Sequence, residues 1–422
     1  MSSRNNIDPL ASNAPWWSFA TAGRVSFGAG CARFLPDVVA DLGRRVLVCT
    51  DANLVAAGVI EPLANALRAI PGMEVFVFDE GRAEIGFEGA EGCVAQVRDF
   101  APDVVVGVGG GSNLDLAKVV AARLNDSRPI ASWSLDGVPP TALPVVAVPT
   151  TAGTGSEVTP IAVLTDEAHQ TKVGFQSRVL LPRAVLVDPL LTLSCPSKVT
   201  AYSGMDALTH AIESFTAIGF EDKPTQAYFD QAFVGKNPVS DALALSAISL
   251  IGASLVRAVN SGDDVSARTD MALGSLMAGM AFASAGTAIV HALQYPIGAL
   301  TKTAHGHGNA VLLPSAVRFN LPVRQSEGAL VARLLGSSAA TDAAAAAELP
   351  DLLGHLALAV GITPTLRSLG VDDTDLESLA AAGSRITRLV SNNPRHADDV
   401  ALAEVLRGAL DFVPGPVTDV PK

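Results

Sequence analysis

Between residues 24 and 193, short β-branched apolar runs alternate with stretches whose apolar positions recur at helical spacing. The runs RRVLVCTD (44–51), MEVFVFDE (73–80), PDVVVGVGGG (102–111), LPVVAVPTT (143–151) and AVLVDPLL (184–191) predict strands. Segments 54–69 and 87–100 predict the intervening helices, which makes the order βαβ and the sheet parallel. Past Cys195 and Pro196 the β-branched clusters give way to long Ala- and Leu-rich helical patterns such as SDALALSAISLIGASLVRAV (240–259). The expected organisation is an N-terminal tail (1–20), an α/β domain (21–195) and an all-helical domain (196–422). Segment 218–235, broken by Gly, Pro and polar residues, reads as an inserted loop or subdomain. The Ala-rich stretch 337–353 is low in complexity but helix-prone, so it is read as helix.

One stretch imitates a membrane span, since no Asp, Glu, Lys or Arg occurs between Asp270 and Lys302. Its Ala, Gly and Ser content and its His291 suit a helix buried in protein better than one facing lipid. A length of 422 residues accommodates two domains, each able to bury a core. Apolar residues are 49% of the chain and aromatics only 5%, so Ala, Val, Leu and Gly must build that interior. The net charge of −13 repels phosphate backbones and anionic lipid, which argues against nucleic-acid and membrane partners. The four cysteines, Cys31, Cys49, Cys93 and Cys195, form no CxxC pair, so neither a disulfide framework nor a thiolate metal site is expected. Residues 1–15 lack the apolar core of a secretory signal and read as a frayed tail, and the expected compartment is the cytoplasm.

In VVVGVGGGSNLDLAK a strand ends in glycines and turns straight into a helix. Gly109, Gly110 and Gly111 let the backbone turn tightly and bring amides close to a phosphate, Ser112 is placed to cap the helix, and the helix adds its positive dipole end. The spacing is neither GxGxxG nor a P-loop, so a bland strand-to-helix turn is the competing reading. A second loop, PTTAGTGSEVT (149–159), follows a neighbouring strand, and two such loops at strand ends are where open α/β sheets bind ligands. Asp51 ends another strand. There a carboxylate accepts ribose hydroxyls and repels a 2′-phosphate, favouring NAD over NADP, or else it caps the helix that starts near Ala52.

In SGMDALTHAIESF, Asp206 and His210 are four apart on one helical face and can reach one ion. His291 and His305 fall in the same charge-poor half. One aspartate and three histidines form a mixed N/O set that suits Fe(II) or Zn(II) and disfavours calcium or magnesium. The reading that competes is a set of satisfied core histidines.

GGGSNLDLAK, PTTAGTGSEVT, GMDALTHAIES and the HALQYPIGA…HGHGNAVLLP block resemble, in order and spacing, the iron-containing (group III) alcohol dehydrogenase family, from about residue 20 to the SNNPR segment at 391–395. The resemblance implies a dinucleotide-binding α/β domain and an all-helical domain in a dehydroquinate synthase-like architecture, the active site between them, and a homodimer. It implies that Asp206, His210, His291 and His305 hold the metal. Gly109, Gly110, Gly111, Ser112, Asp115, Thr150, Thr151, Thr154 and Lys172 would surround the cofactor, with Asp51 near the adenosine ribose. Many members carry a further histidine where this chain has Tyr295, so an alcohol proton would leave through Tyr295, water or a nicotinamide ribose hydroxyl. The 218–235 segment is longer than the family's usual connection. His307 reads as solvated or capping in preference to a relay.

The function expected is metal-dependent, NAD(P)-linked, reversible hydride transfer between a primary alcohol or aldehyde and nicotinamide. A 4-hydroxybutyrate dehydrogenase or hydroxyacid-oxoacid transhydrogenase is a related alternative, selected by turnover without added NAD. A maleylacetate reductase need not keep the metal ligands. A 3-dehydroquinate-synthase-like lyase would release phosphate, and a non-catalytic nucleotide-binding protein would reduce no NAD.

Overall fold

The structure is a computed structural model that describes residues 15–168, 171–223 and 233–417. Strands β1 (Val25–Phe27), β2 (Arg45–Cys49), β3 (Glu74–Phe78), β4 (Val104–Gly109), β5 (Val145–Pro149) and β8 (Ala184–Val187) form one parallel sheet in the order β1-β8-β5-β4-β2-β3. Strands β6 (Ile161–Asp166) and β7 (Thr171–Gln176) form a separate antiparallel hairpin. All five strands read from the sequence are present. The short β1 and the hairpin, whose faces alternate too weakly to stand out, are additions. The central strands are apolar on both faces because both are covered: Val46 and Val48 pack into one core, Leu47 and Cys49 into the other.

Helices α1 (Leu35–Ala40), α2 (Ala52–Ala56), α3 (Ile60–Arg68), α4 (Phe87–Val97), α5 (Gly111–Arg123) and α6 (Trp133–Asp136) join these strands. The single helix expected over 54–69 is two, broken by a turn at Gly58. From β2 the chain steps outward to the edge strand β3, then crosses back to place β4 on the other side of β2. The carboxyl ends of β2 and β4 therefore flank a topological switch point, where ligands of such sheets sit.

From Ser197 the remaining described elements are helical: α7 (Ser197–Thr216), α8 (Pro238–Asn260), α9 (Val265–Ala285), α10 (Ile289–Thr301), α11 (His305–Asn320), α12 (Gln325–Leu334), α13 (Asp342–Ala359), α14 (Leu376–Ser384), α15 (Thr387–Val390) and α16 (Asp399–Leu410). The charge-free stretch at 270–302 is not one buried helix. It is α9 and α10, meeting at 104°. Helix α8 is itself long and apolar enough to cross a membrane by composition, but it packs along α7 and α9. Residues 337–341 precede α13, whose first turn is capped by the Thr341 hydroxyl. Half of the 218–235 segment lies outside the described residues, but its ends close on each other through Lys236 N–H to the Ile218 carbonyl (2.9 Å). Of the expected tail, residues 1–14 are outside the described range, whereas Trp17 meets Phe220 edge-on at 6.5 Å.

The two halves touch most intimately where the loop after β5 meets α9. A Cβ on Gly279 would sit 2.8 Å from Gly155 Cα and 3.0 Å from Gly155 O. Gly155 itself has φ +62, a conformation that side-chain-bearing residues disfavour.

Candidate active site

Helix α7 carries Asp206 and His210 one turn apart, α10 brings His291 two residues into its first turn, and α11 starts at His305. The Oδ1 of Asp206 lies 3.9 Å from His210 Nε2, 3.8 Å from His291 Nε2 and 3.6 Å from His305 Nε2. Asp206, His210 and His291 are buried, while 35% of the His305 side chain remains exposed. All four residues expected from the sequence thus converge on one point between three helices.

Second partners fix which nitrogen of two of these rings, His291 and His305, faces inward. Glu213 Oε2 is 2.5 Å from His291 Nδ1, and Gln294 Oε1 is 2.6 Å from His305 Nδ1. Both acceptors require the proton on Nδ1, which leaves the Nε2 lone pairs aimed at Asp206. Burial pushes the His210 imidazole down to about 3 and His305 down to about 4, so both rings are neutral at ordinary pH. Burial alone would raise the Asp206 carboxyl, yet the three imidazoles and the Asn309 amide bring it below its ordinary value.

Among the described residues, the protein donor inside this ring is the Asn309 amide. Its Nδ2 is 2.7 Å from Asp206 Oδ1 and 3.2 Å from both His291 Nε2 and His305 Nε2. The Nε2 atoms of three rings therefore face one carboxylate oxygen at under 4 Å with one amide group among them. Such an electron-rich cage suits a cation, with ligand atoms about 2.0–2.4 Å from a shared divalent ion. The residues present fit a metal.

Glu213, Gln294 and Asn309 escape a search for ligand types because none is a favoured first ligand here. The available signal is spacing: they follow His210, His291 and His305 by three, three and four residues, hence on the same helical faces.

The glycine turn reaches the same place from the sheet. Gly109 ends β4 at φ +148, and α5 begins at Gly111, leaving the first amides of that helix without helical partners. Thr150 N–H donates to the Gly109 carbonyl (3.0 Å). The Thr151 and Thr154 side chains lie against Gly110 and Gly111, where a Cβ would meet them. Ser112 does not cap α5, because Gly110 holds that position. Its Oγ instead accepts the Glu84 N–H (3.1 Å). Asp51 caps α2, accepting Asn53 N–H (2.9 Å) and Leu54 N–H (3.2 Å) with one oxygen and the Asn113 amide (2.6 Å) with the other, all at the switch point.

Lys118, part of the quoted glycine motif but not selected from it, is fully buried beneath this turn. Its Nζ donates to Ser156 Oγ (2.7 Å), Ile161 O (2.8 Å) and Thr159 O (3.1 Å). Asp115 accepts the Ser156 hydroxyl (2.5 Å) and Val163 N–H (2.9 Å), and Lys172 donates to Thr165 Oγ1 (2.9 Å) and pairs with Glu84 (3.4 Å). These bonds lock the hairpin onto α5 as one wall of a cleft.

That cleft, with a volume of about 240 Å³, is lined continuously by Gly111, Ser112, Asp115, Thr154 and Lys172 from the sheet half and by Asp206, His210, His291 and His305 from the helices. Tyr295 also lines it, its ring 6.0 Å from His305, and burial raises its phenol above the ordinary value. His307 points elsewhere and stacks on Tyr202 at 4.5 Å.

A parallel sheet with a helix-borne phosphate cradle opening onto a caged divalent-metal site defines a metal-dependent dinucleotide oxidoreductase. Residues 22–189 match the iron-containing alcohol dehydrogenase family and residues 200–410 match the C-terminal part of the Fe-containing alcohol dehydrogenase family. The chain belongs to the iron-containing alcohol dehydrogenases, oxidoreductases that use NAD(H) and iron. It is 39% identical over 385 residues to long-chain-alcohol dehydrogenase 1 of Geobacillus thermodenitrificans, covering 89% of this chain and 92% of that one. It is 33% identical over 387 residues to sulfoacetaldehyde reductase of Bilophila wadsworthia, covering 89% and 95%. The solved structure of a 1,3-propanediol oxidoreductase superposes with a TM-score of 0.86 at 32% identity, covering 94% of this chain and 100% of that one.

Proposed function

We propose that Asp206, His210, His291 and His305 hold iron, with zinc as the other metal this set accepts, and that the nicotinamide cofactor lies along Gly109, Gly110, Gly111, Ser112 and Thr154. The observation that carries this is the single cleft shared by the glycine turn and the four converging side chains. The reaction is alcohol plus NAD+ to aldehyde plus NADH and a proton: the carbinol C–H pair moves to nicotinamide C4 and the hydroxyl proton leaves to solvent. When bound, the metal supplies a Lewis acid that favours the alkoxide in oxidation and polarises the carbonyl in reduction.

The chain's own contribution is placement and exclusion of water. Glu213 and Gln294 aim the rings, Asn309 holds the Asp206 oxygen, and the first amides of α5 with their dipole receive the pyrophosphate. Tyr295 walls the cleft. Its raised phenol is a poor acceptor near neutrality, so the proton leaves through water beside the exposed edge of His305 or through the ribose hydroxyl. Asp51 at the switch point supports NAD over NADP. The division into a cofactor domain and a metal domain near residue 195, and assembly as a homodimer, belong to this reading.

One preparation assayed for bound metal and for reduction of NAD or NADP across short alcohols, diols and hydroxyacids tests it. His210→Ala should lose both activity and most of the metal. Full activity in that variant without metal refutes the reading.

A further inference from the structure

Among the described residues, an arginine of the cleft wall has no counter-charge. Arg388, on α15, lines the same cavity as the metal ligands, and its guanidinium carbon lies 4.9 Å from the Phe233 ring centroid. Its Nη1 meets the neutral Gln176 Oε1 at 3.4 Å. Among the described residues no carboxylate is within ion-pairing distance of it, and the ionisable group acting on it is the Tyr295 phenol.

The acids of the cleft are already committed. Glu84 pairs with Lys172, Asp115 accepts Ser156 and Val163, and Asp206 faces the histidines and Asn309. Lys302, at the rim of the same cavity, also has no ion pair among the described residues. A chain of net charge −13 has no general surplus of cations that would leave two unpaired here by default. Guanidinium remains charged even when partly desolvated, and leaving it unpaired is costly unless a ligand supplies the anion. The planar fork matches a carboxylate or sulfonate.

We propose that Arg388 anchors an anionic group at the far end of the substrate, which makes the preferred substrate a short ω-hydroxy acid, or the matching ω-oxo acid in reduction. The inference rests on the hydride-transfer reading above. Tyr295 lines the same cavity as Arg388 and the histidines, with its ring 6.0 Å from His305. The substrate chain would run across that ring, its hydroxyl end toward Asp206 and the histidines.

The test uses the iron-loaded enzyme with 4-hydroxybutyrate, 3-hydroxypropane-1-sulfonate and 1-butanol, which share a reacting CH2OH and differ in the far group. Wild type should favour the better anion over 1-butanol by roughly 10²-fold in kcat/KM, and the two anions tell a carboxylate pocket from a sulfonate pocket. Arg388→Met should reduce that ratio by roughly 10²-fold, mainly through KM for the anion, and Arg388→Lys should recover part of it. Calorimetric titration with butyrate, which has no hydroxyl to oxidise, should weaken at least about tenfold in Arg388→Met. A ratio that does not change in Arg388→Met, a wild type that prefers 1-butanol, or an equal rise in KM for NAD with every substrate overturns the proposal. Arg388-dependent butyrate binding without reduction of NAD by any alcohol keeps the anion site and rejects the dehydrogenase reading. Oxidation of 1-butanol with butyrate binding indifferent to Arg388 does the reverse.

Discussion

Replacing Glu213 with glutamine should weaken metal binding by roughly 10–100-fold, or about 1.4–2.8 kcal/mol. Glu213 spends one oxygen on His291 Nδ1 (2.5 Å) and the other on Val290 N–H (2.8 Å), a first-turn amide of α10 that has no helical acceptor. A glutamine has one carbonyl oxygen, so its NH2 must face one of these two donors. If it faces Val290, a buried N–H is orphaned at about 1–3 kcal/mol. If it faces His291, the ring is relieved by moving its proton to Nε2, and the lone pair aimed at Asp206 is lost. The same cost of 1–3 kcal/mol bounds the tautomer penalty, which is why the two estimates agree. The measurement is competition for zinc and for ferrous iron against a chelator of known affinity, with metal counted after gel filtration. A variant that binds either metal within twofold of wild type refutes the idea that Glu213 sets the orientation of His291.

Tyr295→Phe should lower kcat/KM by less than about tenfold and leave its pH profile in place, since general acid–base catalysis contributes roughly 10²–10⁴-fold where it operates; a loss beyond 10²-fold would make the phenol the proton relay. Glu157 is buried in the turn after β5, and burial lifts its carboxyl from 4.5 to about 7. The folded state therefore holds its proton more tightly, so its contribution to stability is whole below 4.5 and is lost as pH rises through 7. Glu157→Gln, always neutral, should melt with wild type at pH 4 and above it at pH 8, by at most about 3 kcal/mol; coincident melting curves at both pH values contradict this. Gly279→Ala places a methyl against Gly155 backbone, which no rotamer change relieves. It should cost about 1–3 kcal/mol by denaturant titration, and an undiminished midpoint would mean that the contact yields.

How much could be read beforehand depended on how locally each feature is encoded. Of the five strands read from the sequence, the four interior ones were visible because both faces are covered, which makes Val104, Val105 and Val106 an unbroken apolar run, and the edge strand β3 by its own apolar core, VFVF. β1 and the β6–β7 hairpin were not, since their mixed patterns take meaning from the partners they dock on. Asp206 and His210 announced themselves by helical spacing, and His291 and His305 by their rarity in a charge-poor half. Their meeting at one point depends on how α7, α10 and α11 cross, which no local pattern states. The same limit explains Ser112, whose position looked like a cap until Gly110 took it. It explains Arg388 as well: that an arginine lacks an acid partner is a property of its whole surroundings.

The contact between Gly155 and Gly279 has a consequence for how such enzymes can be recombined. Where two segments meet main chain to main chain, their separation is a fixed length with no adjustable spacer, and here it lies between the loop after β5 and a helix packed against the one that carries Asp206 and His210. A chimera that joins this chain's first half to a relative's second half should keep its donor-to-acceptor distance only if both positions stay bare.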